Sequence, residues 1–384
     1  MKNAIIAAAN ALWIVLPGVL SAQVIVSPPP RGSVSTSAYQ FVTWSAGPAT
    51  CNGLAQAVQA AEAPDSVYAW LGTAREPFLR PVTARFRIDA AGRTLDIATD
   101  SGLNSPYGNG VLPALAATRF APGAARTECS ITFTPGAAPV ASAAISAMIA
   151  YTIWPHGTRL PHEAYARIAP TDTDCIDPSP EVLARAFPDF QAIEQAPGSR
   201  AWSMVGYDID RQGRAVRVHL AATTGNAALD RASIKAVQHS RFKPGVRHGC
   251  VYPYWRSGGP LAPPPIPEDA PKNDPARCPV ESDWSAPLRY NYPDDYRRLR
   301  IEGWAIISYD VAPWGQTGNI KVLMSQPTAE FGTAASNMIR AARKREAGQG
   351  FTGCVSRVRY NLSKPGERSH AVVADGDANS PAPF

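Results

Sequence analysis

Six cysteines constrain this chain more than any other feature. They fall in three successive pairs, Cys51 with Cys129, Cys175 with Cys250 and Cys278 with Cys354, separated by 78, 75 and 76 residues, whereas the gaps between pairs are shorter and unequal. A spacing that is nearly constant within pairs and variable between them marks an internal repeat. Six cysteines allow fifteen connectivities, and the repeat selects the sequential one. The even count also suits an oxidising compartment. A unit of this size is marginal alone, and a bridge closing so long a loop adds roughly 4 kcal/mol in the chain-entropy account.

Other landmarks keep the same register. A strand followed by a glycine turn occurs at Phe86-Arg87-Ile88-Asp89-Ala90-Ala91-Gly92, at Tyr207-Asp208-Ile209-Asp210-Arg211-Gln212-Gly213 and at Tyr309-Asp310-Val311-Ala312-Pro313-Trp314-Gly315. A second strand is expected after each, over 95–98, 216–221 and 320–324, making three hairpins. A helix should follow. In the third copy Phe331, Ala335, Met338 and Ala342 share one helical face. Helix exits fall at Arg119-Phe120-Ala121-Pro122-Gly123, Arg241-Phe242-Lys243-Pro244-Gly245 and, more loosely, Lys344-Arg345-Glu346-Ala347-Gly348. The last strand alternates: Cys354, Val358, Tyr360 and Leu362 face a core, and Arg357, Arg359 and Asn361 face water. The expected fold class is α+β, with tandem small modules that each pack a few-stranded antiparallel sheet on one main helix.

The 384 residues divide accordingly. Residues 1–22 carry a charged start, an apolar run and a small-residue end, the pattern of a secretory signal peptide cut after Ala22; the alternative is a short uncleaved membrane anchor. Residues 23–50 form a leader, 51–136 module 1, 137–174 a joint, 175–255 module 2, 256–277 a Pro-rich extended linker, 278–362 module 3 and 363–384 a polar, disordered tail. Within the joint, the apolar stretch 140–154 is short for a membrane span and is expected as a buried helix or strand. Hydrophobic residues at 45% supply ample core, and a net charge of +6 with only 18% charged residues gives no strong sign of nucleic-acid binding.

The third copy resembles the TonB C-terminal domain family. Tyr292-Pro293, then Ile301-Glu302-Gly303-Trp304 entering the first strand, the turn at Gly315, the strand over 322–325, the helix and the closing strand match its pattern in order. The second copy shares Phe187-Pro188 and the Arg241-Phe242-Lys243-Pro244 exit; the first is the most divergent. The resemblance implies a periplasmic, non-catalytic protein that binds a peptide of an outer-membrane transporter, or another envelope protein, by adding its strand to a sheet edge. Carried onto this chain, that edge is the closing strand with Val355, Arg357, Arg359 and Asn361, and Tyr292 and Pro293 stand at the family's Tyr-Pro position. Pro253 interrupts the second copy's closing strand, so the third copy is the expected binder. The alternative is a membrane-tethered energy transducer of the TonB class. Against it, the N-terminal run offers only Asn10 as a polar residue, and the Pro-rich stretches are short.

Catalytic chemistry finds little purchase. His156, His162 and Glu163 lack the spacing of a zinc motif, and no Gly-x-Ser-x-Gly elbow occurs. Asp208 with Asp210, and Asp294 with Asp295, are more simply hairpin and loop residues. The basic runs Arg297, Arg298, Arg300 and Arg340, Arg343, Lys344, Arg345 fit solvated helix faces. No cofactor, metal site or enzymatic activity is expected, nor the aromatic interleaving that stacks nucleic-acid bases.

Overall fold

Three times along the chain a hairpin, a helix and a returning strand assemble around one disulfide. The computed structural model describes residues 39–71, 79–99, 107–279, 284–362 and 370–374. The signal-peptide expectation for 1–22 lies outside them. The segment expected as a leader supplies a strand, β1 (Tyr39–Ala46). Module 1 holds β2 (Thr50–Cys51), β3 (Leu54–Ala55), β4 (Val58–Ala60), β5 (Val67–Trp70), β6 (Val82–Ile88), β7 (Thr94–Thr99), α1 (Val111–Ala117), β8 (Arg119–Phe120) and β9 (Arg126–Ala138), and β1 joins its sheet by pairing with β9. Two helices, α2 (Ile145–Ile153) and α3 (His162–Ile168), form the joint, so the apolar stretch at 140–154 is helical. Module 2 comprises β10 (Val182–Ala184), β11 (Arg200–Ile209), β12 (Ala215–Thr223), α4 (Ala227–His239), β13 (Arg241–Phe242) and β14 (Arg247–Ser257). Module 3 comprises α5 (Asp294–Arg298), β15 (Gly303–Val311), β16 (Thr317–Gln326), α6 (Ala329–Ala341), β17 (Phe351–Asn361) and β18 (His370–Ala374). The architecture is α+β, and the bridges join Cys51 to Cys129, Cys175 to Cys250 and Cys278 to Cys354.

The hairpin turns explain why glycine stands where it does. Gly92, Gly213 and Gly315 have φ of +80°, +76° and +84°. Each donates its N–H to the carbonyl three residues back and accepts from the N–H of Phe120, Phe242 or Lys344, the residue that follows the helix exit. A Cβ at any of the three would lie 2.0 Å from the carbonyl oxygen of that same residue. Glycine is demanded twice, by conformation and by space. A second shared device lies in the outer hairpin strand, where Asp96, Arg217 and Asn319 adopt φ of +50°, +51° and +49°. Each bonds the residue nine positions earlier: Asp96 to Arg87, Arg217 to Asp208, Asn319 to Asp310. Asp208 and Asp310 also accept the N–H of Gly249 and Gly353, clamping the closing strand beside its cysteine. Asp208 thus does structural work, and Asp210 caps its turn by accepting from Gln212 and Arg214.

Modules 1 and 3 share one core, in which Ile97 and Leu115 lie with Phe331, Ile339 and Tyr360. They are sewn together at Ile97, whose N–H donates 3.0 Å to the Pro327 carbonyl, and at Asp96, whose N–H donates 3.0 Å to Gln326 Oε1. Module 2 has its own core around Val205, Leu229, Val237 and Phe242. On the opposite face of its sheet, Trp202 and Met204 pack under Ile149 of α2. One buried cation ties the three modules. Arg200 bonds Glu62 at 3.1 Å and Asp65 at 2.5 Å and lies 4.6 Å over the Trp154 ring, while Arg298 reaches Asp65 at 3.4 Å. Burial pushes the Glu62 carboxyl up; for Arg200 burial acts the other way, but the two acids outweigh it and hold the guanidinium charged.

Candidate functional site

The residues expected to form a binding edge fall into two groups. Val355, Arg357, Arg359 and Asn361 lie along β17, at alternate positions on the outer side. Tyr292 and Pro293 do not join them. Tyr292 is buried among Tyr290, Phe331 and Tyr360, with ring centroids 5.6–6.1 Å away, and its phenol donates to the Ile301 carbonyl. Pro293 precedes α5 as its N-cap. Gly303 completes this arrangement: a Cβ there would come 2.6 Å from the Phe331 ring. Tyr292 and Gly303 therefore build the core beneath the sheet, and burial pushes the Tyr292 phenol well up.

The outer edge of β17 is engaged along its length. At its start the Val355 N–H donates 3.1 Å to Asn273 Oδ1. Further on, β18 pairs antiparallel with it, Arg357 opposite Ala374, Arg359 opposite Val372 and Asn361 opposite His370. The tail expected to be disordered thus supplies a strand at 370–374. The segment expected as an extended linker is also docked. It crosses the outer sheet face, where Trp304 and Ile306 are buried with Ala270. Trp304 Nε1 donates 2.7 Å to the Pro264 carbonyl, and Arg357 donates to the carbonyls of Ala270 and Pro271. Between strap and strand runs a groove of about 820 Å³, floored by Trp304 and walled by Pro263–Pro267, Glu268, Lys272, Arg357, Arg359 and Asn361. The face expected to be wet is a lined groove in which Lys272, Arg357 and Arg359 outnumber the single carboxylate of Glu268.

Residues 289–362, from the aromatic cluster to the end of β17, match the family described as Gram-negative bacterial TonB protein C-terminal. This segment is similar to a TonB C-terminal domain. No curated protein matches the chain. The TonB C-terminal domain belongs to a family of interaction domains of the Gram-negative envelope whose members contact outer-membrane transporters. Its match ends at the last residue of the β17 region, so the strap and β18 lie outside it. Among the described residues no helix is long and apolar enough to cross a membrane, and no group of three or more His, Cys, Asp or Glu side chains is placed to hold a metal ion.

Sequence reasoning missed β18, the strap and the Arg200 knot. One signal for the strap was present. The run Trp304-Ala305-Ile306-Ile307 is apolar on both faces, and a strand buried on both faces needs a cover on each.

Proposed function

We propose that this is a periplasmic, non-catalytic binding protein of the cell envelope, linked to outer-membrane transport. Its TonB C-terminal domain takes an extended segment of an outer-membrane transporter, or of another envelope protein, as an added strand along β17. Modules 1 and 2 are divergent copies of the same unit, fitted to the third by the shared turns and clamps. The observation that carries the reading is the β17–β18 pair. An antiparallel strand already occupies the position a partner would take, with backbone bonds supplying affinity and Arg359 facing the groove for an acidic side chain. In this reading β18 is the resident occupant and a partner displaces it.

The test uses a chain ending at residue 362 and a synthetic peptide copying residues 368–376. Calorimetry should detect binding to the shortened chain, with hydrogen-exchange protection at Arg357, Arg359 and Asn361, and weaker binding to the full chain, where β18 competes. Arg359→Pro removes an outward donor on the β18 side and should abolish binding. Equal binding by wild type and Arg359→Pro rules the edge out.

A further inference from the structure

We infer that module 2 carries a second, open strand-docking site, at 253–257 of β14, for an extended segment in which a bulky apolar side chain neighbours an acidic one. The inference does not rest on the family match, which lies wholly within module 3.

The first support is a comparison of equivalent edges. Cys129, Cys250 and Cys354 face Phe86, Tyr207 and Tyr309 on the neighbouring strand, which aligns the three closing strands. In that register Val251, Pro253, Trp255 and Ser257 correspond to Val355, Arg357, Arg359 and Asn361. The outer edge of β9 carries β2 at Cys129 and Ser130 and β1 from Phe133 to Ala138. The outer edge of β17 carries β18. On β14, the first residues are closed by Asp174, which accepts from the His248 N–H and donates to the His248 carbonyl. Beyond Cys250 no strand lies beside β14 among the described residues. The chain itself therefore places an antiparallel strand on two of three equivalent edges and leaves the third unfilled.

The chemistry around that edge says what would fill it. Pro253 removes one outward donor, which is how proteins blunt an edge against indiscriminate pairing, but Trp255 and Ser257 keep theirs. Phe187 and Trp255 are 63% and 43% exposed. They border a groove of about 500 Å³ with Phe190, Tyr252, Arg256 and Arg300. No carboxylate lines this groove. Arg256 Nε is buried without a hydrogen-bond partner, and neither Arg256 nor Arg300 forms a direct ion pair among the described residues. Arg300 does act on the Glu302 carboxyl, which burial raises and the Arg300 charge pulls down. By contrast Arg200, the buried arginine at the centre of the molecule, is met by two acids. Aromatic walls with two guanidiniums that form no direct ion pair fit an apolar side chain beside a carboxylate, held by a backbone ladder.

The experiment uses the full chain and two end-blocked nonapeptides of alternating threonine and valine. One carries a phenylalanine beside a glutamate; the other has lysine for the glutamate. The glutamate peptide should bind at least tenfold more tightly, and should protect the Trp255 and Ser257 amides from exchange while leaving Arg359 and Asn361 unchanged. Arg300→Glu, outside the module 2 sheet, should remove or reverse that preference with the sheet intact. Trp255→Pro should abolish binding. Equal affinity for the two peptides, protection confined to β17, or an unchanged preference in Arg300→Glu would overturn the inference. Because exchange reports which edge is occupied, loss of binding at β17 in the shortened chain leaves this result independent.

Discussion

In module 2 the strand that returns to the disulfide, β14, has β11 on one side and no strand among the described residues on the other; in module 3 its counterpart β17 lies between β15 and β18. The internal devices of the two modules are alike, from the glycine turn to the aspartate clamp. What differs is supplied by flanking chain. The strap and tail close module 3, and module 1 helps to build its core, whereas α2 and α3 cover one face of module 2 and add no strand to its edge. Edge availability in this molecule is set by neighbours, not by the repeat.

The largest expected effect separates the two cores. Phe331 is fully buried in the core that modules 1 and 3 share, and Phe331→Ala should cost about 3–5 kcal/mol there. Leu229→Ala should cost about 2–5 kcal/mol in module 2. Calorimetric scans should show each substitution lowering a different transition. A single transition that moves equally with both would mean that Arg200 and its acids couple the modules into one cooperative unit, and the contrast between cores would lose its energetic meaning.

A smaller effect tests whether the two turns are equivalent. Gly213→Ala and Gly315→Ala each force a methyl against a carbonyl oxygen at positive φ, and about 1–3 kcal/mol should be lost in each module. Gly225→Ala, at φ +95° but with no atom within 4 Å, should lose less. Denaturant midpoints give the comparison; a Gly225 loss as large as the other two would show that conformation alone, not the close carbonyl, governs the turns.

The smallest effect is on pH dependence. The Asn319 amide and the Gly353 N–H hold the Asp310 carboxyl below its ordinary value of 3.8. Asp208 is also held low: burial opposes this, but the Gly249 N–H and Arg217 prevail. A depressed carboxylate stabilises the fold at pH above its unfolded value, and that contribution disappears as pH falls through the folded one. Asp310→Asn should therefore flatten the acid side of the module 3 stability profile, and Asp208→Asn that of module 2. Acid slopes identical to wild type would remove the clamps from the account.

The bridges, hairpin turns and helix were legible because their determinants are local or periodic. Cysteine spacing, a glycine that alone tolerates positive φ, and the stripe of Phe331, Ala335 and Met338 on α6 all speak without tertiary context. The edges were not legible, for a physical reason. His370–Ala374 is a five-residue apolar-centred stretch in a polar tail, and whether it pairs depends on an edge far away in sequence. The prolines at 263–265 favour the same extended backbone whether solvated or laid across Trp304. Tyr292-Pro293 shows the opposite case. The motif was visible, but its place in the core rather than on the binding edge follows only from where Phe331 and Tyr360 come to lie.

The three bridges also decide how the molecule would carry a mechanical load. Tension applied at the two ends passes from Cys51 to Cys129, from Cys175 to Cys250 and from Cys278 to Cys354 through sulfur, short-circuiting loops of 78, 75 and 76 residues. The hairpins and helices inside those loops stay slack. The chain before Cys51 and after Cys354 and the segments between bridges, 130–174 and 251–277, lie in the load path, so pulling would bear on α2, α3, the strap and the strand residues outside each bridge rather than on the loops the bridges close. Since the strap covers Trp304 and its carbonyls accept from Arg357, force along the chain would bear on the cover of the β17 face.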